Sequence, residues 1–267
     1  MQCHSSPRVC LAKQTISTHE NDLLMAKHKY KRKASNSARS FLRTIGRGTK
    51  PGSSILVVTE GINTEPIYFD GVRKVFASNA IELVSHGAGR GDPRKLADAA
   101  IEIRRERKRQ AKEKELRISQ LEDFDELWIV FDTDVLTSDK RDNGIQYAKS
   151  KGIKIASSEP CFEYWLLLHE ADSYTTAPMA KCENVKPYLK SAFGWSSYDK
   201  SKEETKKQVT PLVTKDNVAT AIKAAKRVRE YHEQAGSSFP ANPSTEVDLL
   251  IDSINDAVAV ANRVETA

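Results

Sequence analysis

The sequence predicts an α/β protein built on a parallel sheet with helices on both faces, and three observations carry that expectation. Two apolar runs, Ile55-Leu56-Val57-Val58 and Leu127-Trp128-Ile129-Val130-Phe131, have the length and side chains of buried strands. Strand-like and helix-like segments alternate four times between residues 54 and 170. Both runs also end in acids, Glu60 after the first and Asp132-Thr133-Asp134 after the second. Open parallel sheets bind their ligands beyond such strand ends.

The elements follow in order. Pro51-Gly52-Ser53-Ser54 is a turn that opens the folded part, and a strand over 54–60 follows it. Thr64, Glu65 and Pro66 are helix-start signals, and Ile67, Phe69, Val72, Val75 and Phe76 give that helix its apolar side. Ile81 to Val84 reads as a short strand, leading into a loop with Gly87, Gly89 and Gly91 in which Arg90 is a candidate phosphate contact. From Pro93 to about Leu121 runs a helix whose second half is almost wholly charged; it suits either a solvated face or an arm for a partner. Next come a strand over 126–132, a helix over 143–150, a strand over 152–156 and a very apolar helix from Cys161 to Glu170.

Past residue 171 the pattern weakens into helices, the clearest over 217–234. Asn242-Pro243-Ser244-Thr245 then caps a last helix from Glu246 to about Asn262. The expected organisation is a basic, disordered N-terminal extension over 1–50, an α/β domain over 51–171 and a helical region over 172–267.

Composition narrows the class. The chain has 267 residues, 39% of them hydrophobic and 29% charged, with a net charge of +6. No apolar run reaches the roughly 20 residues that span a bilayer, and no secretory signal is visible, so a cytoplasmic protein is expected. Cys3, Cys10, Cys161 and Cys182 lack CxxC spacing, which argues against zinc and for reduced thiols. Between Lys27 and Lys50 the chain carries no acid. There Lys31, Arg32 and Lys33 form the centre of a basic arm suited to phosphate backbones, or to a merely solubilising tail.

Parallel neighbouring strands would bring Glu60, Asp132 and Asp134 together. Clustered carboxylates repel, and a divalent cation is the usual remedy. Oxygen-only donors suit Mg²⁺ or Mn²⁺. Alternate residues at a strand end point the same way, so Asp132 and Asp134 face one metal, with Glu60 as ligand or proton acceptor. The bland reading has one acid capping a helix and another in a salt bridge. Glu65 is either a further ligand or a charge that complements its helix dipole. Glu163, inside an apolar helix, needs a partner such as a backbone amide or an Arg, while His169 reads as a helix-end histidine and Cys161 as core.

Four stretches, Val57 to Phe69, Trp128 to Asp134, Ser158 to His169 and Asn242 to Thr245, resemble the RloB-like family in order and spacing over roughly residues 51 to 260. The resemblance implies a Toprim-like fold, shared with topoisomerases, primases and OLD-type nucleases. It assigns Glu60 as the general acid or base beside the metal and Asp132 and Asp134 as metal ligands. It further implies a nuclease effector of antiphage, abortive-infection defence, similar to the second component of AbiL-type systems and controlled by an ATPase partner. Glu159 departs from the pattern, which more often has Asn there. DNA and RNA, including tRNA, stay open as substrates, and an oligomer is compatible with the sequence. The rival expectations are a non-catalytic nucleic-acid-binding or regulatory subunit of an ATPase complex, and phosphoryl transfer on a small nucleotide.

Overall fold

The computed structural model describes residues 53–77, 81–89, 91–113, 123–134, 136–170, 175–238 and 240–265. The basic extension, with Lys31, Arg32 and Lys33, and the loop residue Arg90 lie outside the described residues. Residues Thr49–Ala267 form one compact unit.

Its centre is a five-stranded sheet. Strand β1 (Ser53–Thr59) lies between β2 (Ile81–Gly87) and β3 (Glu126–Asp132); β4 (Lys154–Glu159) is parallel to β3, and the two-residue β5 (Ser244–Thr245) closes the edge antiparallel to β4. The expected mixed α/β fold with a mainly parallel sheet is therefore found. Side chains alternate along each strand. Ile55, Val57, Trp128, Val130 and Ala156 join one large core, while Leu56, Val58, Ile129 and Phe131 are buried towards the opposite face.

Helix α1 (Thr64–Val72) continues into a π-helical turn over Arg73–Ala77 and brings Tyr68, Phe69 and Val72 into the large core. Helices α2 (Pro93–Glu113) and α3 (Ser138–Ser150) pack on each other, α2 against β1 and β3 and α3 against β4. The short α4 (Phe162–Leu167) is wholly buried, with Trp165 at its centre. After it come α5 (Cys182–Phe193), α6 (Lys202–Val209), α7 (Lys215–Gln234) and α8 (Val247–Glu265).

Two strands differ from the sequence expectation. β2 runs three residues further, because Ser85, His86 and Gly87 pair with Val57, Val58 and Thr59. β4 starts and ends later than 152–156, and its polar end is satisfied across the sheet: Ser158 Oγ meets Thr245 Oγ1 at 2.8 Å, and the Glu246 carboxylate accepts from Ser157 N and Oγ. Ser244 and Thr245, read from the sequence as part of the cap of the last helix, thus supply the fifth strand.

Deep in this packing, Asp248 is fully buried and both its oxygens accept from Arg229, at 2.6 and 2.5 Å. The same guanidinium donates to Thr245 O at 2.9 Å, joining α7, α8 and β5 through one side chain.

Candidate functional site

Parallel strands deliver their C-terminal ends to one edge of the sheet, and the acids arrive there together. Glu60 follows β1; its backbone N–H donates to Val130 O at 2.9 Å, and its Oε2 accepts from Asp132 N at 3.0 Å. Asp132 ends β3, and its Oδ1 accepts from Phe162 N, the first amide of α4, at 2.8 Å. Asp134 Oδ2 accepts from Cys182 N, the first amide of α5, at 3.0 Å. Glu65, in the first turn of α1, turns back so that its Oε1 accepts from Gly61 N at 2.9 Å. Each carboxylate is therefore aimed by a backbone amide through one oxygen.

Glycines make this approach feasible. A Cβ at Gly61 would collide with the Glu65 carboxylate, and one at Gly91 would collide with that of Glu60. The cleft between them has a volume of about 350 Å³ and is lined by Glu60, Glu65, Asp132, Asn63 and Lys200. Gly89 and Gly91 line it too, so the glycine loop does reach the site.

Lys200 was not singled out by sequence reasoning. It stands in a polar, lysine-rich stretch with no periodicity, and no local signal marks it. Its ammonium pairs with Glu163 Oε1 at 2.8 Å, and Asn63 Nδ2 holds its carbonyl at 2.9 Å. Glu163, 1% exposed, also accepts from Tyr198 OH at 2.9 Å. The partner expected for Glu163, a backbone amide or an Arg, is replaced by Lys200 and Tyr198. The lone acid in an apolar helix signalled that a partner was required, yet only tertiary structure names it.

Electrostatics follow from burial and crowding. Burial pushes the Glu60 carboxyl up, opposed by its bond from Asp132 N and reinforced by the Asp134 and Glu163 charges. Glu65 is pushed up to about 7 by burial first and then by Glu163. Asp132 lies well above the ordinary range, through burial and then the charges of Glu163, Glu65 and Glu60. Burial pulls Lys200 down, but Glu163 more than offsets this and holds the ammonium above its usual range. A cluster in which acids resist ionisation is one that an added cation would relieve.

This yields a test with a defined sign. Between its ordinary value and about 7, folded Glu65 keeps a proton that the unfolded chain has released, so stability is lost as pH rises through 7. In EDTA, the wild type should lose on the order of 5 °C in Tm relative to Glu65→Gln between about pH 5 and about pH 8. Parallel melting curves for the two proteins would show that Glu65 is not strained.

Other expectations resolve simply. His169 is 4% exposed; its Nδ1 donates to Trp165 O at 3.0 Å and its Nε2 accepts from Tyr68 OH at 3.1 Å. Burial pulls it down to about 4, so it is a neutral core histidine at the end of α4 and plays no part in the cleft. Glu159 bonds the Thr133 hydroxyl and the Asn242 amide, tying the loop between the two aspartates to the C-terminal segment. The expectation of unpaired, reduced thiols is corrected: Cys161 and Cys182, 21 positions apart, form a disulfide with a Cα–Cα separation of 5.5 Å. Spacing rules miss the pair because the fold, not the local sequence, brings α4 and α5 together.

The fold and cleft define an α/β protein with a carboxylate cluster beyond the C-terminal ends of a parallel sheet. The chain belongs to the RloB-like protein family, whose profile matches residues 55–254. No curated protein and no solved structure matches it. Among the described residues, no helix is long and apolar enough to cross a membrane.

Proposed function

We propose that the chain is a Mg²⁺- or Mn²⁺-dependent nuclease of Toprim type. The observation that carries this reading is the convergence of Glu60, Glu65, Asp132 and Asp134 from two strand ends and one helix start, each aimed by a backbone amide. The donor set, carboxylate oxygens alone, suits a hard divalent cation by its chemistry, and the oxygens of Glu60, Asp132 and Asp134 would have to draw closer around it than they stand here. For Glu60, Asp132 and Asp134 the described hydrogen bond uses one oxygen and leaves the other for a ligand. Asp132 and Asp134 would hold the ion, with Glu60 beside them. A divalent cation held there would supply Lewis-acid chemistry, lowering the pKa of a water and offsetting charge on the leaving oxygen of a phosphodiester.

The protein's own groups supply the rest. With its carboxyl raised by burial, Glu60 holds a proton more readily than an ordinary glutamate and stands at the cleft wall where it could pass one to or from a bound water. Lys200, on the cleft wall, offers a positive charge to a phosphate. The basic arm with Lys31, Arg32 and Lys33, together with Arg90, would hold the nucleic acid by charge alone. The same reading makes the protein a cytoplasmic antiphage effector of abortive-infection type, restrained or triggered by an ATPase partner, with family membership as its support.

A cleft of about 350 Å³ also matches a single nucleotide, which favours phosphoryl transfer on a small nucleotide as the second reading. The deciding assay offers mixed tRNA, single-stranded DNA, duplex DNA and free nucleotides to the purified protein with Mg²⁺, Mn²⁺ or EDTA. Metal-dependent cutting of a polymer is the expected result. Turnover of nucleotides alone would select the second reading, and inertness toward all substrates, with the ATPase present, would leave a regulatory subunit.

A further inference from the structure

We propose that Cys161 and Cys182 are a reversible thiol–disulfide site that sets how firmly Asp132, which lines the cleft, and its neighbour Asp134 are held. Cys161 immediately precedes Phe162, whose amide holds Asp132, and Cys182 itself supplies the amide that holds Asp134. The crosslink therefore joins the N-termini of α4 and α5 at the two donors that aim the Asp132 and Asp134 carboxylates. Cys182 Sγ also lies 3.0 Å from Glu163 Oε2, the acid paired with Lys200.

Each redox state does something distinct. As a disulfide, the pair fixes the separation of the two amides, and Glu163 keeps Lys200 and Tyr198 as its donors. As a dithiol, the Cys182 S–H donates to Glu163 Oε2, and α5 is free to move relative to α4. Groups that orient metal ligands at one remove typically change metal affinity by about 10–100-fold. A tenfold tighter hold on a divalent cation is expected for the crosslinked form.

The chemistry balances with a small monothiol such as glutathione. Its thiolate attacks the Sγ of Cys182, the less deeply buried residue of the pair (8% exposed against 0%), and the S–S bond breaks as Cys161 leaves as a thiolate and takes up a proton. A second monothiol attacks the outer sulfur of the mixed disulfide, freeing the Cys182 thiol and releasing the small disulfide. Two electrons pass from the monothiols to the protein, and the small disulfide is the oxidant for the reverse reaction. Reciprocity requires the cation to favour the crosslink by the same factor. A tenfold effect for a two-electron couple is about 30 mV toward a more negative midpoint.

The metal arm of this proposal rests on the function proposed above, whereas the amide arm does not. The test uses the full chain as Cys3→Ser/Cys10→Ser, so that only this pair reports. It is poised in glutathione buffers, alkylated and weighed, and amide hydrogen exchange at Phe162 and Cys182 is followed in both forms alongside Mn²⁺ titration. One two-electron transition is expected, with exchange at both amides roughly tenfold slower and Mn²⁺ bound roughly tenfold tighter in the oxidised form. Cys161→Ala/Cys182→Ala, which keeps both backbone amides and has no thiol left at the site, should behave as the reduced protein at every glutathione ratio. Full alkylation at every glutathione ratio, or identical amide exchange in the two forms, overturns the proposal. Slower amides without Mn²⁺ binding in either form uphold the latch and overturn the metal reading instead.

Discussion

Asp132→Asn is expected to abolish metal-dependent cleavage while raising the melting temperature of the metal-free protein at about pH 8. The two effects have one cause. Asp132 is buried against Glu163, Glu65 and Glu60, whose charges oppose its ionisation, so in the absence of a cation it strains the cleft. Asparagine keeps an oxygen for the Phe162 amide and removes the charge. The loss of a ligand that stabilises transition-state charge should lower kcat by on the order of 10³-fold. Calorimetry and a cleavage assay on the same sample decide it. Retained activity, or a lower Tm, would show that Asp132 is a structural acid.

Arg229→Ala should cost about 3 to 5 kcal/mol, because it leaves Asp248 fully buried without its charged partner. Chemical denaturation gives the number. The double variant Arg229→Met/Asp248→Leu should recover most of the loss, since replacing both members of a buried pair is often nearly neutral. If the single variant is as stable as the wild type, the pair contributes nothing and β5 is held by packing alone. Thr245 O also accepts from Arg229, and Thr245 pairs with Ser158 next to the cleft, so metal affinity should fall with stability in the single variant.

Much of the fold is legible in the chain because burial on both faces forces apolar runs. β1 and β3 announce themselves, and so do the acids at their ends, since a carboxylate after Val57-Val58-Thr59 has no place inside a core. Helices α7 and α8 follow from their periodic apolar positions. The polar end of β4 is not legible: Ser157 and Ser158 pair with Phe131 and Asp132 on one side, while Ser244, Thr245 and Glu246 bond to Ser157, Ser158 and Glu159 on the other from far along the chain. Lys200 escaped for the same reason. Its role is set by Glu163, and nothing in the residues next to it in sequence distinguishes it from Lys202 or Lys206. The cysteine pair is likewise a product of tertiary structure, and a rule based on spacing cannot see it.

The placement of Lys200 and Asn242 has a consequence for synthesis. A ribosome releases the strands that carry Glu60, Asp132 and Asp134 well before the residue that neutralises Glu163 and the one that anchors Glu159. Contacts of such long sequence separation form late. The nascent chain thus holds its strand-end acids without the Lys200 ammonium until residue 200 has been made, so shorter chains lack one wall of the cleft.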